Sequence, residues 1–236
     1  LTLHGPDGIN TPSHIEFIEV VKPARLVYHH GDDTNPHRFH VTTDFIAEGG
    51  RTKLVSRMRF RTAAQCAATK GHAVPGHSST MDRLGEQLAK MEAGARTISS
   101  TRVLAAPRHS VFDAFADPAR LAQWWGPRNF TNTFHTFELR PGGRWVYTMH
   151  GPGETDYANQ CVFTEIAAPE RIVFQHLEPI HRFQMTMSLA EQDGRTTLTW
   201  EMRFESAAEC ARVKSFILPA NEENFDRLAA HLAASA

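Results

Sequence analysis

The sequence has 236 residues, of which 41% are hydrophobic, and its 25 lysines and arginines nearly balance its 26 aspartates and glutamates. This balance argues against a nucleic-acid partner or a polybasic membrane-binding surface. No apolar run approaches the roughly 20 residues that cross a bilayer, so we expect no membrane span. The three cysteines lack CxxC spacing, which predicts a reducing, cytoplasmic setting without a disulfide framework.

The chain contains one pattern twice. LTLHGPDG at residue 1 is matched by YTMHGPGE at residue 147, and Phe17 and Pro23 are matched by Phe163 and Pro169. Beyond a loop that is two residues longer in the first copy, the segments GRT, MRF and DRL also recur in order. Similarity over this length indicates a tandem of one structural plan.

The two copies differ in extent. The second copy carries residues 96–145 ahead of the shared phrase, whereas the first begins directly with it. We therefore expect residues 1–91 to be an N-terminally truncated repeat and residues 96–236 to be a complete domain. A truncated repeat would expose sheet edges and an apolar face, so we expect an intramolecular pseudo-dimer or a homodimer.

The sequence of the complete copy predicts a strand, two short helices, six further strands and a long helix, in this order. The first strand, 97–105, stops at Pro107, and the two helices end before Pro118 and Pro127. The six strands that follow are predicted at 130–139, 145–150, 160–166, 171–176, 183–189 and 196–204. A helix over 207–234 is then predicted, with an interruption at Pro219 and an apolar face of Phe216, Phe225, Leu228 and Leu232.

This order of elements predicts an α+β fold. An antiparallel sheet with one apolar face must cover that face, and the C-terminal helix is the element long enough to do so. A curved sheet wrapped around one helix leaves space at its open end, beneath the two short lid helices. That space is where we expect a ligand.

Several segments of the sequence resemble one known family. They are FDAFADPARLAQWWGP at 112–127, LRPGGRW at 139–145, HGP at 150–152, EIAAPERIVF at 165–174 and NFDRLAAHL at 224–232. They are similar to the START-like (SRPBCC, birch-pollen-allergen-like) superfamily, within the group named for the activator of heat-shock protein 90 ATPase. The resemblance implies a tandem helix-grip fold. It also implies one of three functions: a carrier of a small hydrophobic ligand, an enzyme of the cyclase or aldolase type, or a regulator of a chaperone.

The aromatic and methionine residues are the candidates for a ligand site. Alternation along the strands places many of them on one face, where core and cavity share a lining. Methionines suit a tolerant pocket. The predicted ligand-binding residues are Trp124, Trp125, Phe134, Trp145, Tyr147, Phe163, Phe174, Met185, Met187, Trp200, Met202 and Phe216. The first copy has Ser56 in place of Trp200 and Thr43 in place of Met187, so two sites would differ in shape.

Polar residues give weaker signals. An enzyme would need a polar pair in the cavity, such as Tyr147 with His176 or Tyr157 with Glu165. The better interpretation of Glu165 is a solvated pair with Arg171 at a turn. No catalytic triad or glycine-rich phosphate loop is present, so we expect no cofactor and a binding module rather than an enzyme.

The HRFH segment at 37–40 resembles a metal-binding motif. Its two histidines would point to opposite faces of a strand, however, and the second is replaced by glutamine in the other copy. We therefore predict no metal site.

Overall fold

The computed structural model describes residues 2–4, 8, 10–32, 34–35, 38–178 and 181–235. The chain divides into two compact units, Leu1–Gly85 and Glu86–Ala236. Part of the first HGPDG phrase and His37 of the HRFH segment lie outside the described residues. Within the described part, no helix is both long enough and apolar enough to cross a membrane.

The described residues of the first unit form six strands and most of a long helix. These are β1 (Thr2–His4), β2 (Asn10–Pro12), β3 (His14–Val21), β4 (Arg25–Gly31), β5 (Phe39–Glu48), β6 (Arg51–Phe60) and α1 (Ala63–Ala95). Strands β1 and β2 pair with each other, and the other four form an antiparallel sheet in the order β3-β4-β5-β6. Edge strand β3 is exposed along its length, and its Phe17 and Ile18 side chains are 60% and 53% exposed.

The second unit has the predicted order of elements. These are β7 (Thr97–Leu104), α2 (Arg108–Ala116), α3 (Pro118–Trp124), β8 (Thr131–Phe137), β9 (Arg144–Gly151), β10 (Thr155–Ala167), β11 (Arg171–Glu178), β12 (Phe183–Gln192), β13 (Arg195–Phe204) and α4 (Ala207–Ala234). The seven strands form one antiparallel sheet in the order β7-β13-β12-β11-β10-β9-β8. The α+β fold class is thereby confirmed.

A tight turn sets the register of the most regular hairpin. Asp193 and Gly194 both have positive φ, 52° and 69°, as a two-residue hairpin turn of the primed type requires. The turn pairs Met187 with Trp200 and Met185 with Met202. Because alternate residues share a face, these four side chains all enter the core.

Helix α4 covers the concave face of the sheet. Ser206 caps its N-terminus by accepting from the Glu209 amide at 3.2 Å. The buried face of the helix consists of Cys210, Val213, Ile217, Asn221, Asn224, Phe225, Leu228 and Leu232. These residues recur at intervals of three and four, as expected for one helical face.

Candidate functional site

The aromatic and methionine residues predicted as a ligand lining converge in one cluster in the second unit. Phe134 is partly buried and packs against this cluster. The buried members among the predicted residues are Trp124, Trp125, Trp145, Tyr147, Phe163, Phe174, Met185, Met187, Trp200 and Met202. Sequence alternation therefore located the interior of the unit, and whether these residues touch a ligand stays a prediction.

Phe216 is the exception and corrects the prediction for helix α4. Its side chain is 71% exposed. At about 100° per residue, position 216 lies on the side of the helix opposite to buried Phe225. Ile217, which is buried, takes the inward position instead.

Helices α2 and α3 form the lid predicted from the sequence. Asp117 caps α3 by accepting from the Ala119 amide at 2.8 Å. The Trp124 indole donates to the Ala114 carbonyl at 3.1 Å and packs edge-on against Phe115, with 4.7 Å between ring centroids. These contacts tie the two lid helices to each other and turn their aromatic side chains inward.

Trp125, which follows the last residue of α3, lies between two indoles of the sheet. Its ring centroid is 5.1 Å from that of Trp145 on β9 and 5.4 Å from that of Trp200 on β13. Three strands separate β9 from β13, and in a flat sheet they would lie about 19 Å apart. Contact of one indole with both rings therefore shows that the sheet curves around the core.

The core is filled in this conformation. Residues of the lid and the sheet line a void of about 10 Å³, and Phe115, Leu121, Trp145 and Met187 are among them. A void of this size holds at most one water molecule. A ligand of a few hundred daltons does not fit this void unless the residues that line it move apart.

The first unit has an open groove in a different position, next to its long helix. A groove of about 360 Å³ lies between β6 and α1, and Ser56, Met58, Cys66 and Val74 are among its lining residues. Ser56 stands where the second copy has Trp200. At this position the first copy therefore has a smaller side chain next to the groove.

Polar groups fasten the end of the lid to helix α4. The Arg227 guanidinium donates to the carbonyl oxygens of Gln123, Gly126 and Pro127 at 3.0, 2.8 and 2.9 Å. The Gly126 amide donates to the Asn224 side chain at 2.6 Å. Burial lowers the pKa of Arg227 from its ordinary value. The fastening satisfies backbone groups that the lid would otherwise bury without partners.

Sequence reasoning missed Asn224 and Arg227, and also the buried Asn221, which donates to the Ser100 hydroxyl on β7 at 3.1 Å. Asn221 and Asn224 share a helical face with Ile217, Phe225 and Leu228, and this spacing was visible in the sequence. A polar residue at a buried position of an amphipathic helix needs a specific partner. This need for a partner was the signal in the sequence that could have identified the buried asparagines.

Two indole N–H groups in the core have no acceptor among the described residues. They belong to Trp145 and Trp200, both 1% exposed. Trp125, in contrast, donates to the Tyr147 hydroxyl at 3.3 Å. Burial raises the pKa of Tyr147 well above its ordinary range, so this hydroxyl keeps its proton at neutral pH. Trp125 and Tyr147 thus form a buried polar pair beside two indole groups whose N–H donors have no partner among the described residues.

The candidate catalytic residues are engaged with other partners. His176 is hydrogen-bonded to Asn159 and to the His181 carbonyl at 2.9 and 2.8 Å, and its ring stacks on Phe183 at 4.7 Å. Tyr147 bonds to Trp125 instead of His176.

The second proposed polar pair is also not formed. Glu165 lies 3.5 Å from Arg171 in an exposed ion pair, and Tyr157 packs against Phe130 at 6.0 Å. Neither predicted pair of polar groups is therefore held together by the contacts of this structure.

Histidine and cysteine side chains show no cluster suited to a metal ion within the described ranges. His40 of the HRFH segment packs edge-on against His29 across the strands, with 5.4 Å between ring centroids. Cys161 is buried, and burial raises its pKa, so the thiol is protonated at neutral pH. Protonated thiols are poor nucleophiles and metal ligands.

An antiparallel sheet that curves around a C-terminal helix beneath two lid helices defines a START-like, helix-grip protein. The chain belongs to the family described as Activator of Hsp90 ATPase homolog 1-like protein, whose model matches residues 1–90 and 105–234. The match in two segments agrees with the internal repeat. The resemblance drawn from the sequence motifs is thereby confirmed.

Solved structures with this fold come from several bacteria. A protein from Arthrobacter aurescens is 26% identical, with a TM-score of 0.57 over 61% of this chain and 89% of that one. Protein Ms6760 from Mycobacterium smegmatis is 26% identical, with a TM-score of 0.54 over 61% of this chain and 96% of that one.

A more distant structure is named for the same family. The AHSA1 protein from Silicibacter pomeroyi is 19% identical, with a TM-score of 0.50 over 59% of this chain and 99% of that one. This likeness concerns the fold alone. The sequence has no significant match among curated proteins.

Proposed function

We propose that the second unit binds a small hydrophobic molecule between its sheet and helix α4. The observation that carries the proposal is the composition of the lid. The two short helices place Phe115, Leu121 and Trp124 inside the core, and Trp125, which follows α3, enters it as well. A movement of the lid alone would therefore convert a packed interior into an apolar cavity, as ligand sites of this kind require.

The way the lid is attached supports such a movement. Its inner face makes apolar contacts, which a hydrophobic ligand could replace at little cost. Its end is fastened by hydrogen bonds from Arg227 and Asn224 to backbone groups near residue 126. Water can replace these bonds when the lid opens, because a protein hydrogen bond is worth only about 1 kcal/mol net.

Native mass spectrometry of the full chain purified from a bacterial host would test the proposal. We expect an additional mass of a few hundred daltons that is lost on denaturation. Trp125→Ala should alter the occupancy, because it removes the side chain at the centre of the core. Phe216→Ala is the matched control, since Phe216 lies outside the core, and it should leave the occupancy unchanged.

The proposal fails if neither the wild type nor Trp125→Ala carries or takes up any compound from a panel of apolar molecules. The family description would then direct the next measurement to stimulation of a chaperone ATPase. Catalysis is not proposed, because the contacts of Tyr147 and His176 do not bring a polar pair together.

A further inference from the structure

The first unit has a pocket at one end of its sheet, where strands β4 and β6 end and strand β5 begins. Its volume is about 500 Å³, which is within the range of pockets that hold small organic molecules. The described residues that line it are His29, Phe39, His40, Arg59, Phe60 and Arg61. The pocket therefore combines basic and aromatic side chains.

The basic side chains form a row across three neighbouring strands. His29 on β4 pairs with His40 on β5, and His40 pairs with Arg59 on β6. Residues that are paired in register lie on the same face of a sheet, and the two imidazole centroids are 5.4 Å apart. Arg61 lines the same pocket just beyond the end of β6. Two guanidinium groups and the imidazole of His40 thus border one space.

The two arginines of the pocket, Arg59 and Arg61, have no carboxylate within ion-pair distance among the described residues. Two other arginines on this face of the sheet are already neutralised. Asp44 accepts from Arg25 at 2.6 Å and from Arg57 at 2.8 Å. The positive charge of this sheet face is therefore left uncompensated at the pocket.

A carboxylate at the far end of the row does not neutralise this charge. Glu16 on β3 is opposite His29. It lies three strand spacings from Arg59, which is about 14 Å in a flat sheet. Exposed charges more than about 8 Å apart are largely screened at physiological ionic strength. The end of the pocket at Arg59 therefore favours an anion.

The second repeat has no such basic cluster at the equivalent positions. The two histidines are replaced there by Gln175 and Gln184, and Arg61 is replaced by Glu205. Gln175 donates to Gln184 at 3.0 Å, so these two amides bind each other. Because both repeats share one structural plan, the fold itself does not require the basic residues. They are a property of the first repeat.

We propose that this pocket binds a small phosphate monoester that carries an aromatic ring. A phosphate group has three acceptor oxygens and nearly two negative charges at neutral pH, so it can accept from Arg59, Arg61 and His40 together. Arginine also matches phosphate oxygens in bidentate geometry. The rings of Phe39 and Phe60, with 5.3 Å between centroids, offer an apolar contact to the aromatic part. This site lies in the first unit and goes beyond the function proposed for the second.

Three probes separate the contributions of the charge, the phosphate oxygens and the ring. Phenyl phosphate has all three features, inorganic phosphate lacks the ring, and benzoate has the ring but only two acceptor oxygens. Isothermal titration calorimetry of the full chain, at low ionic strength and in a buffer without phosphate, measures the three affinities. Phenyl phosphate should bind at least about tenfold more tightly than either of the others, because it gains ring contact over one and charge-assisted hydrogen bonds over the other.

Variants assign the binding to particular arginines. Arg59→Gln and Arg61→Glu should each weaken the binding of phenyl phosphate at least about tenfold, since each removes charge-assisted hydrogen bonds. Arg61→Glu introduces the residue that the second repeat carries at the equivalent position of the same fold, and circular dichroism checks that both variants fold. Arg51→Gln is the matched control. Arg51 is exposed at the other end of β6, about 26 Å away, so this variant should keep its affinity within about twofold.

Each contrary result overturns a definite part of the inference. Failure of phenyl phosphate to bind would overturn the site. Equal affinities for phenyl phosphate and benzoate would overturn the preference for phosphate, and equal affinities for phenyl phosphate and inorganic phosphate would overturn the role of the ring. A loss in Arg51→Gln as large as that in Arg59→Gln would show general attraction to positive charge instead of recognition in this pocket.

Discussion

Arg227 donates a hydrogen bond to the carbonyl oxygen of Gly126 at 2.8 Å, and this bond joins helix α4 to the end of the lid. The same side chain reaches the Gln123 and Pro127 carbonyls. Arg227, together with Asn224 on the same helix, thus holds the segment that carries Trp125. The stability of the lid should depend on this guanidinium.

Replacing Arg227 with methionine should destabilise the second unit by about 1.5–3 kcal/mol, the range for hydrogen bonds to a charged group. Arg227→Lys should recover only part of the loss, because an ammonium group lacks the planar fork that reaches several carbonyls. Urea denaturation measures the free energy of unfolding. Arg212→Met is the control on the same helix, since the Arg212 side chain is 66% exposed. An equal loss in both variants would contradict the role of the fastening.

Gly126 should tolerate no larger residue. Its φ is 99°, and a Cβ atom would lie 2.7 Å from Met149 Cε and 3.3 Å from Phe130 Cβ. Met149 Cε is the end of a flexible side chain and can shift, so Gly126→Ala should cost about 2–3 kcal/mol, from backbone strain and the close approach to Phe130. Gly153→Ala is the control, because Gly153 also has positive φ but open space around it. Gly153→Ala should lower stability by only about 1–2 kcal/mol. An equal loss of stability in the two variants would show that contacts with Met149 and Phe130 do not contribute.

Replacing Trp200 with the serine found at the equivalent position of the first repeat should leave a cavity in the core. Trp200→Ser introduces the residue found at position 56 and removes a side chain that is 1% exposed. We expect a loss of about 3–5 kcal/mol, as for other large core truncations. Val103→Ala on neighbouring β7 is the control, since Val103 is 49% exposed, and it should change stability by less than about 0.5 kcal/mol. A stability of Trp200→Ser close to that of the wild type would show that the indole is not part of the packing.

Stability should fall as the pH is lowered below about 6.5. Burial, and secondarily the nearby Arg120, lower the pKa of His231 from its ordinary value of 6.5. The unfolded chain therefore binds a proton at a higher pH than the folded chain does, and protonation favours unfolding. Melting temperatures at pH 7.5 and 5.5 would show the loss. His231→Gln should reduce it, and Arg120→Gln should reduce it by a smaller amount. A loss of the same size in His231→Gln would exclude this histidine as a source.

The sequence was sufficient to predict the order of elements because each one has a local signal. The DG turn requires positive φ at residues 193 and 194, and the alternation of Leu198, Trp200 and Met202 defines one face of a strand. The packing of the core could not be predicted in this way. Whether Trp125 fills a cavity or borders one depends on distances between separate elements, which no local pattern encodes.

Phe216 shows a second limit of reading the sequence. An aromatic residue in a helix suggests a buried position, but the exposed fraction of Phe216 is 71%. The helical angle between positions 216 and 225 is about 180°, so both residues could not lie on one face. Strict helical periodicity predicts that Ile217, and not Phe216, lies on the buried face of the helix. The polar fastening by Asn224 and Arg227 was missed because apolar residues alone were used to define the buried face.

All four tryptophans of the chain belong to the second unit, at positions 124, 125, 145 and 200. Intrinsic fluorescence excited at the indole band therefore reports on that unit and not on the first. The two units need not unfold together, and a signal that averages over both would blur their transitions. Emission from this group of rings would follow the unfolding of the second unit in the intact chain. The two repeats would not have to be expressed as separate proteins.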